Sequence, residues 1–528
     1  MEILRWLDLL VIAIYMAAMA LMGLRFARRQ TSTERYFVAQ RSIPGWAMGI
    51  SLYATLISSV TFIAYPGAAY AGNWSGLVPG FMVIPVLVIA VGVLIPFYRR
   101  VVGMSAYEYF GKRFGDGARA FGAVAFACGY LSKLAFVFYL VALTVNSMTG
   151  WNIYGVTVAM GVVTVFYTFC GGLEAVIWTD VVQGFVKCFG VVICLAFLLF
   201  LPPGGPAAAF KAAWSAGKFN LGSLDLDFTQ KGVWVMTLYG LFWFLQQYTA
   251  DQTVVQRYLV TPSDRQVIKG TLLGGLLCVP VWTLFMLIGT LLWSFYHLTG
   301  EKFPGYIAKS DQIFPYFLST HIPAGLAGLF MASLFAAAMS TISSALNCLA
   351  VIGTEDLYRR FRPAAGDALR LHLGKGIVVG VGLLTTAIAM VLDRYAGHAL
   401  SLYFTATAIF SGGLFGLFFL AFFSTRTNTR GVWAGILACI LFTAYATLTE
   451  GTSPLLDLGR FNFKLPGVMI GVIGNLVLIG VGYGASRCLG PGWAGARELT
   501  WWDWRERQRA LKKNTTAEQL SAAPVGRP

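Results

Sequence analysis

The chain of 528 residues has little charge, few histidines and no paired cysteines. Asp, Glu, Lys and Arg together make up 12% of it against 57% apolar types, and mean hydropathy is +0.69. At that ratio a water-soluble fold would have too little polar surface to cover its exterior, so a soluble enzyme or binding module is excluded. The eight cysteines (Cys128, Cys170, Cys188, Cys194, Cys278, Cys348, Cys439, Cys488) are scattered singly; with no CxxC pair, neither a metal knuckle nor a disulfide framework is indicated. The four histidines, His297, His321, His372 and His398, fall in connections or at the ends of apolar runs, which argues against a haem or histidine–metal site at membrane depth. No catalytic cluster of His, Cys, Asp or Glu interrupts those runs, which speaks against a membrane enzyme. The first apolar run has no small-residue cleavage site and is followed by Arg25, Arg28 and Arg29; it reads as a retained span, not a leader. GKGIVVGVG at 374–382 has the glycine content of a nucleotide loop, but no strand precedes it.

What the chain has in abundance is long apolar runs, such as 9–24, 77–98, 156–170 and 468–482. With its flanks, each can cross a hydrocarbon layer about 30 Å thick, for which roughly 20 helical residues suffice. The pattern predicts an all-α polytopic membrane protein of about thirteen spans: 5–24, 43–72, 76–98, 117–147, 153–172, 176–201, 232–255, 268–296, 323–352, 376–393, 399–423, 430–449 and 467–486. Alternate connections then collect 28 of the 39 Lys and Arg on one side and nine on the other. The basic side is cytoplasmic by the positive-inside rule, which puts the N-terminus in the periplasm and the C-terminus in the cytoplasm. The net charge of +16 therefore sets topology in an inner membrane and attracts anionic lipid; nucleic acid is not implied. No soluble catalytic domain, obligate protein partner or signalling module is evident. Residues 500–513, with Trp501, Trp502 and Trp504 among basic side chains, read as an interfacial helix, and 514–528 as disordered.

Three spans are rich in small and polar residues: the second (GISLYATLISSVTFIAYPG), the seventh (LYGLFWFLQQYTADQTVVQRYL) and the ninth (LFAAAMSTISSALNCLA). Irregular backbone at membrane depth is tolerated where it is buried in protein or lines a cavity, and transporters built of inverted repeats break the first helix of each repeat there. The second and seventh spans are five apart. That spacing suggests repeats at 43–201 and 232–423, preceded by an extra helix and loop at 1–42 and followed by two helices at 424–487 and a tail at 488–528. On the ninth span Ala337, Ser340, Thr341 and Ser344 share one face, where hydroxyls and a free carbonyl could hold a hard cation or could instead bond their own helix. The charges at membrane depth are Lys133, Asp180, Lys187 and Asp251. Asp180 and Lys187 lie two turns apart and could pair, whereas Lys133 sits mid-span in GYLSKLAFVFYL.

Over roughly residues 5–485 the chain resembles the sodium:solute symporter family, through YFVAQRSIPGWAMGISLYATLISSVTF (36–62), YTFCGGLEAVIWTDVVQ (167–183), QQYTADQTVVQRYL (246–259), AAAMSTISSALN (336–347) and SGGLFGLFFLAFFSTRTNTRG (411–431). The resemblance implies a leucine-transporter-type fold of two inverted five-helix repeats, alternating access, and Na+ as the coupling ion. It further implies a main sodium site at Ala54, Ile57, Ala337, Ser340 and Thr341. A second site, found in the sialic acid branch, maps to Asp180 with Ser343 and Ser344 beside Ser340 and Thr341. Hexose transporters of the family use a glutamine and a glutamate where this chain has Thr61 and Gly80. The sialic acid branch uses serine, threonine and an arginine where it has Ser58, Thr61 and Lys133. The implied solute is an organic anion, such as a sialic acid, a sugar acid or a monocarboxylate. A neutral sugar, an amino acid such as proline, and a proton-coupled carrier remain as alternatives. Phe62, Phe242, Trp243 and Tyr248 are candidates for gating or stacking on the solute.

Overall fold

The computed structural model describes residues 6–305, 307, 309–394, 412–451, 454–490 and 498–510. Among them there is no strand. The principal helices are α1 (Trp6–Ala27), α2 (Gly45–Leu56), α3 (Ser59–Ala71), α4 (Trp74–Val101), α5 (Asp116–Thr149), α6 (Ile153–Phe200), α7 (Val233–Thr249), α8 (Gln252–Tyr258), α9 (Asp264–Thr299), α10 (Leu326–Val351), α11 (Asp367–Arg394), α12 (Leu414–Phe423), α13 (Thr429–Thr449) and α14 (Val468–Cys488). Local chemistry sets many starts: Asn152, Asp251, Ser263 and Asn428 each accept from a backbone N–H two or three residues onward.

Nine of the described helices are long and apolar enough to cross a membrane, or ten if α2 and α3, bent by 55°, form one broken span. The difference from thirteen has three sources. The expected spans 153–172 and 176–201 run on as α6, whose 48 residues would extend about 72 Å if straight, far more than one crossing needs. Its backbone leaves helical geometry at Gly172 (φ 54°, ψ −153°). A side chain there would be strained by the positive φ and would meet Tyr36 O at 2.6 Å. The expected span 232–255 is divided at Ala250–Asp251 into α7 and α8, each too short alone. The first part of 399–423 lies outside the described residues, which leaves the short α12.

The centre of the molecule is α10. In Leu326–Phe361 83% of the apolar window is buried, against 28% in Trp6–Ala27, so the polar residues of α10 face protein on every side. It packs against α6, α1, α5 and both halves of the α2–α3 pair. Helices α2 and α9 approach unusually closely, through Gly45 and Gly49 on one and Gly270 and Gly274 on the other. The tail helix at 501–510, expected at the membrane interface, docks on protein: Trp504 meets Phe97 edge-on at 6.3 Å, and Trp502 Nε1 donates to Phe423 O at 2.8 Å. The segment 514–528 lies outside the described residues.

A side chain at Gly49 would begin 2.5 Å from Gly270 O, against backbone that cannot yield without separating α2 from α9. Gly49→Leu is expected to cost at least about 1–3 kcal/mol by overpacking. Thermal unfolding in detergent measures it; an unchanged midpoint would show that the two helices can separate freely.

Candidate cation and solute site

The site begins with the break between α2 and α3. Ile57 adopts an extended conformation (φ −91°, ψ 96°) and ends α2. Thr61 N and Phe62 N both turn to Ser58 O, at 3.0 and 3.4 Å, so Ile57 O loses its helical donor, and the end of the helix likewise frees Ala54 O. In an apolar interior each bare carbonyl requires a partner. Both find the same one, the Lys187 ammonium from α6, which donates to Ala54 O at 2.6 Å, to Ile57 O at 3.0 Å and to Ser340 Oγ at 2.8 Å. Ser340 Oγ in turn donates to Ala54 O at 2.9 Å. Lys187 is 0% exposed. The structure therefore gathers three of the five residues expected at the main sodium site, Ala54, Ile57 and Ser340, around a lysine. Ala337 and Thr341 stand beside them on α10, where Thr341 Oγ1 donates to Ala337 O at 3.2 Å.

Two turns back along α6 lies a buried ion pair that the sequence did not disclose. Asp180 turns from Lys187 to Arg257 of α8: Nη2 stands 2.9 Å from Asp180 Oδ2 and also donates to Thr55 Oγ1 at 2.6 Å and Ser344 Oγ at 2.7 Å. Ser51 Oγ donates to Asp180 Oδ2 at 2.6 Å and accepts from Arg257 Nε at 3.0 Å. Arg257, which the expected span boundaries put in the connection after 232–255, is 1% exposed and ties α8 to α2, α6 and α10. The only sequence signal was its place in the polar run QQYTADQTVVQRYL, whose residues disperse to separate partners. Gln252 bonds to Met104 O and Ala106 N, both at 2.8 Å, and Gln256 Nε2 donates to Phe37 O at 2.5 Å and Asn347 Oδ1 at 2.9 Å.

Asp180 retains an unused oxygen. Among the described residues Asp180 Oδ1 and Gln183 Oε1, both buried, accept no hydrogen bond. Tyr167 lies between this pair and α10; its hydroxyl donates to Met339 O at 3.1 Å and neighbours Ser343, Gln183 and Thr179. Bare buried acceptors beside hydroxyls are what a hard cation would satisfy. Asp180 Oδ2 and Ser344 are already held by Arg257, so the oxygens that fit a sodium ion here are Asp180 Oδ1 and Gln183 Oε1, whereas those around Lys187 are all engaged by its ammonium.

Lys133 occupies a second polar cluster. Its Nζ meets Tyr130 OH at 3.5 Å and stands 4.7 Å from that ring. The nearby carboxylate, Asp251, is fully engaged: it accepts from Gln247 Nε2 at 2.7 Å, from Thr253 N at 2.8 Å, from Thr253 Oγ1 at 2.5 Å and from Tyr130 OH. Lys133 has no ion pair among the described residues. Ser58 opens α3 without capping it, Thr61 lies in its first turn, and α3 packs against α5, which carries Lys133. Of the aromatic candidates, Phe62 is buried against Phe285 and Phe330, with ring centroids at 4.4 and 5.9 Å, and Tyr248 is buried with a hydroxyl that has no partner among the described residues. Phe242 packs on Phe415, and Trp243 is 49% exposed beside Tyr239, so neither faces this interior.

The model of the sodium:solute symporter family matches residues 36–439. The sodium/sialic acid symporter NanT of Aliivibrio fischeri is 33% identical over 481 residues, covering 90% of this chain and 92% of its own. A solved structure of a Na+-coupled sialic acid symporter, in a substrate-bound outward-open state described as revealing a novel Na+ site, superposes with a TM-score of 0.85 at 29% identity over 93% of this chain and 99% of that one. The nucleobase-cation-symport-1 transporter Mhp1, in a closed conformation, superposes at 0.55 with 16% identity, covering 88% of this chain and 98% of its own; this likeness concerns the leucine-transporter-type fold alone.

Removing one partner of the buried pair would strand a charge. Arg257→Met is expected to destabilise the protein by about 3–5 kcal/mol, and the double variant Asp180→Asn/Arg257→Met to regain part of that. Equal losses in the single and double variants, read by thermal unfolding in detergent, would show that the charge pair is not what holds α8 in place.

Proposed function

The chain belongs to the sodium:solute symporter family, and on that premise we propose that it carries a small organic anion into the cell together with sodium, by alternating access. It is a multi-pass inner-membrane transporter and not an enzyme. The observation that carries the choice of solute is Lys133, a membrane-depth cation whose neighbouring carboxylate is fully engaged by other donors. The wider charge balance agrees. At this depth Lys133, Lys187 and Arg257 are positive, and Asp180 and Asp251 negative. That surplus favours a solute bringing one negative charge into a site of low dielectric. The likeness to two sialic acid symporters, NanT and the superposed one, supports a carboxylate of the sialic acid type, with sugar acids and monocarboxylates in the same chemical class.

In this reading Lys133 pairs with the solute carboxylate as a point charge. Ser58 and Thr61, at the start of α3, supply hydroxyls to its polar groups. Sodium occupies the Asp180 pocket, with Ser343 and Ser344 of α10, where Asp180 Oδ1 awaits a partner. It ties α6 to α10 beside the break in α2–α3. Solute and ion shift the balance between outward- and inward-facing states through their differential affinity for the two. The ion gradient and membrane potential, about 2.3 kcal/mol per charge per 100 mV, drive accumulation. The topology that suits this cycle is thirteen spans with a periplasmic N-terminus and a cytoplasmic C-terminus. The five-helix repeats are 43–201 and 232–423, with α2–α3 and α7–α8 as their equivalent broken first helices.

Uptake into proteoliposomes tests the reading with labelled sialic acid, a sugar acid, lactate, galactose and proline, each under an inward sodium gradient and with choline in its place. The expected result is sodium-dependent accumulation of one carboxylate. Lys133→Ala should lower its uptake roughly 10–100-fold, the value of one charge-assisted hydrogen bond, and Lys133→Arg should retain part. Accumulation of a neutral solute with Lys133 dispensable would remove the anion assignment and leave symport standing.

A further inference from the structure

We propose that Lys187 is the resident cation of the oxygen cluster at the helix break, so that no sodium ion binds at Ala54, Ile57, Ala337, Ser340 and Thr341, and sodium uses the Asp180 pocket alone. The proposal rests on the sodium-coupled reading above and narrows its stoichiometry. An ammonium has three protons, and Lys187 places them on three acceptors at 2.6, 3.0 and 2.8 Å. Its requirements are met in full. Those oxygens are the ones a sodium ion would need here. A sodium ion touching them would stand within a few ångströms of Nζ, in a site 0% exposed, where like charges repel with little screening.

Withdrawal of the side chain offers no ready escape. The tether starts on α6, deep in the packed interior, and leaving would exchange three hydrogen bonds for apolar surroundings. The other half of the site is chemically opposite, since Asp180 Oδ1 and Gln183 Oε1 are bare acceptors. Arg257 is neutralised by the Asp180 carboxylate, which still keeps a bare oxygen, whereas Lys187 stands among neutral oxygens that are already engaged. The α2–α3 break is consequently braced to α6 and α10 by a covalently attached charge, present at any sodium concentration. Release on the inner side requires the departure of a single ion. Symport of one sodium with a monoanion moves no net charge, unlike a two-sodium cycle.

The test is equilibrium binding of radioactive sodium to the purified full-length chain in detergent, which requires no knowledge of the solute. Wild type is expected to bind one sodium per chain, Asp180→Asn none, and Lys187→Met, which removes the ammonium at similar length, two. Two sodium ions on wild type, or saturable sodium binding that survives in Asp180→Asn, would overturn the proposal. So would a folded, monodisperse Lys187→Met that still binds only one. If Lys187→Met does not fold, the wild-type and Asp180→Asn counts decide. No binding to wild type would uphold the exclusion at Lys187 and instead remove the sodium-coupled reading, so the two failures are distinguishable.

Discussion

The structure depends on one constraint, that the α2–α3 break exposes backbone carbonyls where no water can satisfy them. Ala54 O and Ile57 O lie at the centre of the molecule, and a lipid-like interior makes bare carbonyls expensive. The fold meets that need with positive charge. Lys187 reaches them from α6, and Ser340 supports the contact from α10. The same need explains the burial of α10. A helix carrying hydroxyls along its length can sit at the core only if each finds a partner, and Ser340, Thr341 and Ser344 do so on their own helix or across to α2 and α8.

The second broken element repeats the device with the signs rearranged. At Ala250–Asp251 the carboxylate of Asp251 caps the new helix α8 and accepts from Gln247 and Tyr130. Six residues on, Arg257 returns to the first break and meets Asp180, Thr55 and Ser344. The two irregular segments are thus joined through one guanidinium. The guanidinium stays charged when buried and reaches α2, α6 and α10 together through Nε and Nη2. Any movement that separates α8 from α10 must break that set, so the pair is well placed to transmit a change at one broken helix to the other.

Much of this was legible in the chain. The long apolar runs announced a membrane protein, and the polar second and seventh spans marked where it would depart from plain helices, while the polar ninth runs unbroken as α10. Ala337, Ser340, Thr341 and Ser344 were placed on one helical face by their spacing, and all four are buried on α10. The breaks appeared where small and polar residues interrupted the runs, because a break needs both room and partners. The length of α6 was not legible: a 48-residue helix that kinks at Gly172 looks in sequence like two spans with a short connection.

The sequence by itself determined which residues were costly to bury, and therefore that Lys133, Asp180, Lys187 and Asp251 would have roles. It did not determine their partners. Asp180 and Lys187 share a helix at a spacing that suits an ion pair, yet Asp180 binds Arg257 and Lys187 binds backbone. Periodicity states which face a residue occupies on its own helix and is silent on which helix lies opposite. Only the packing of α2, α6, α8 and α10 brought Arg257 to within 2.9 Å of Asp180. That same packing placed an ammonium among oxygens that the family resemblance assigned to sodium.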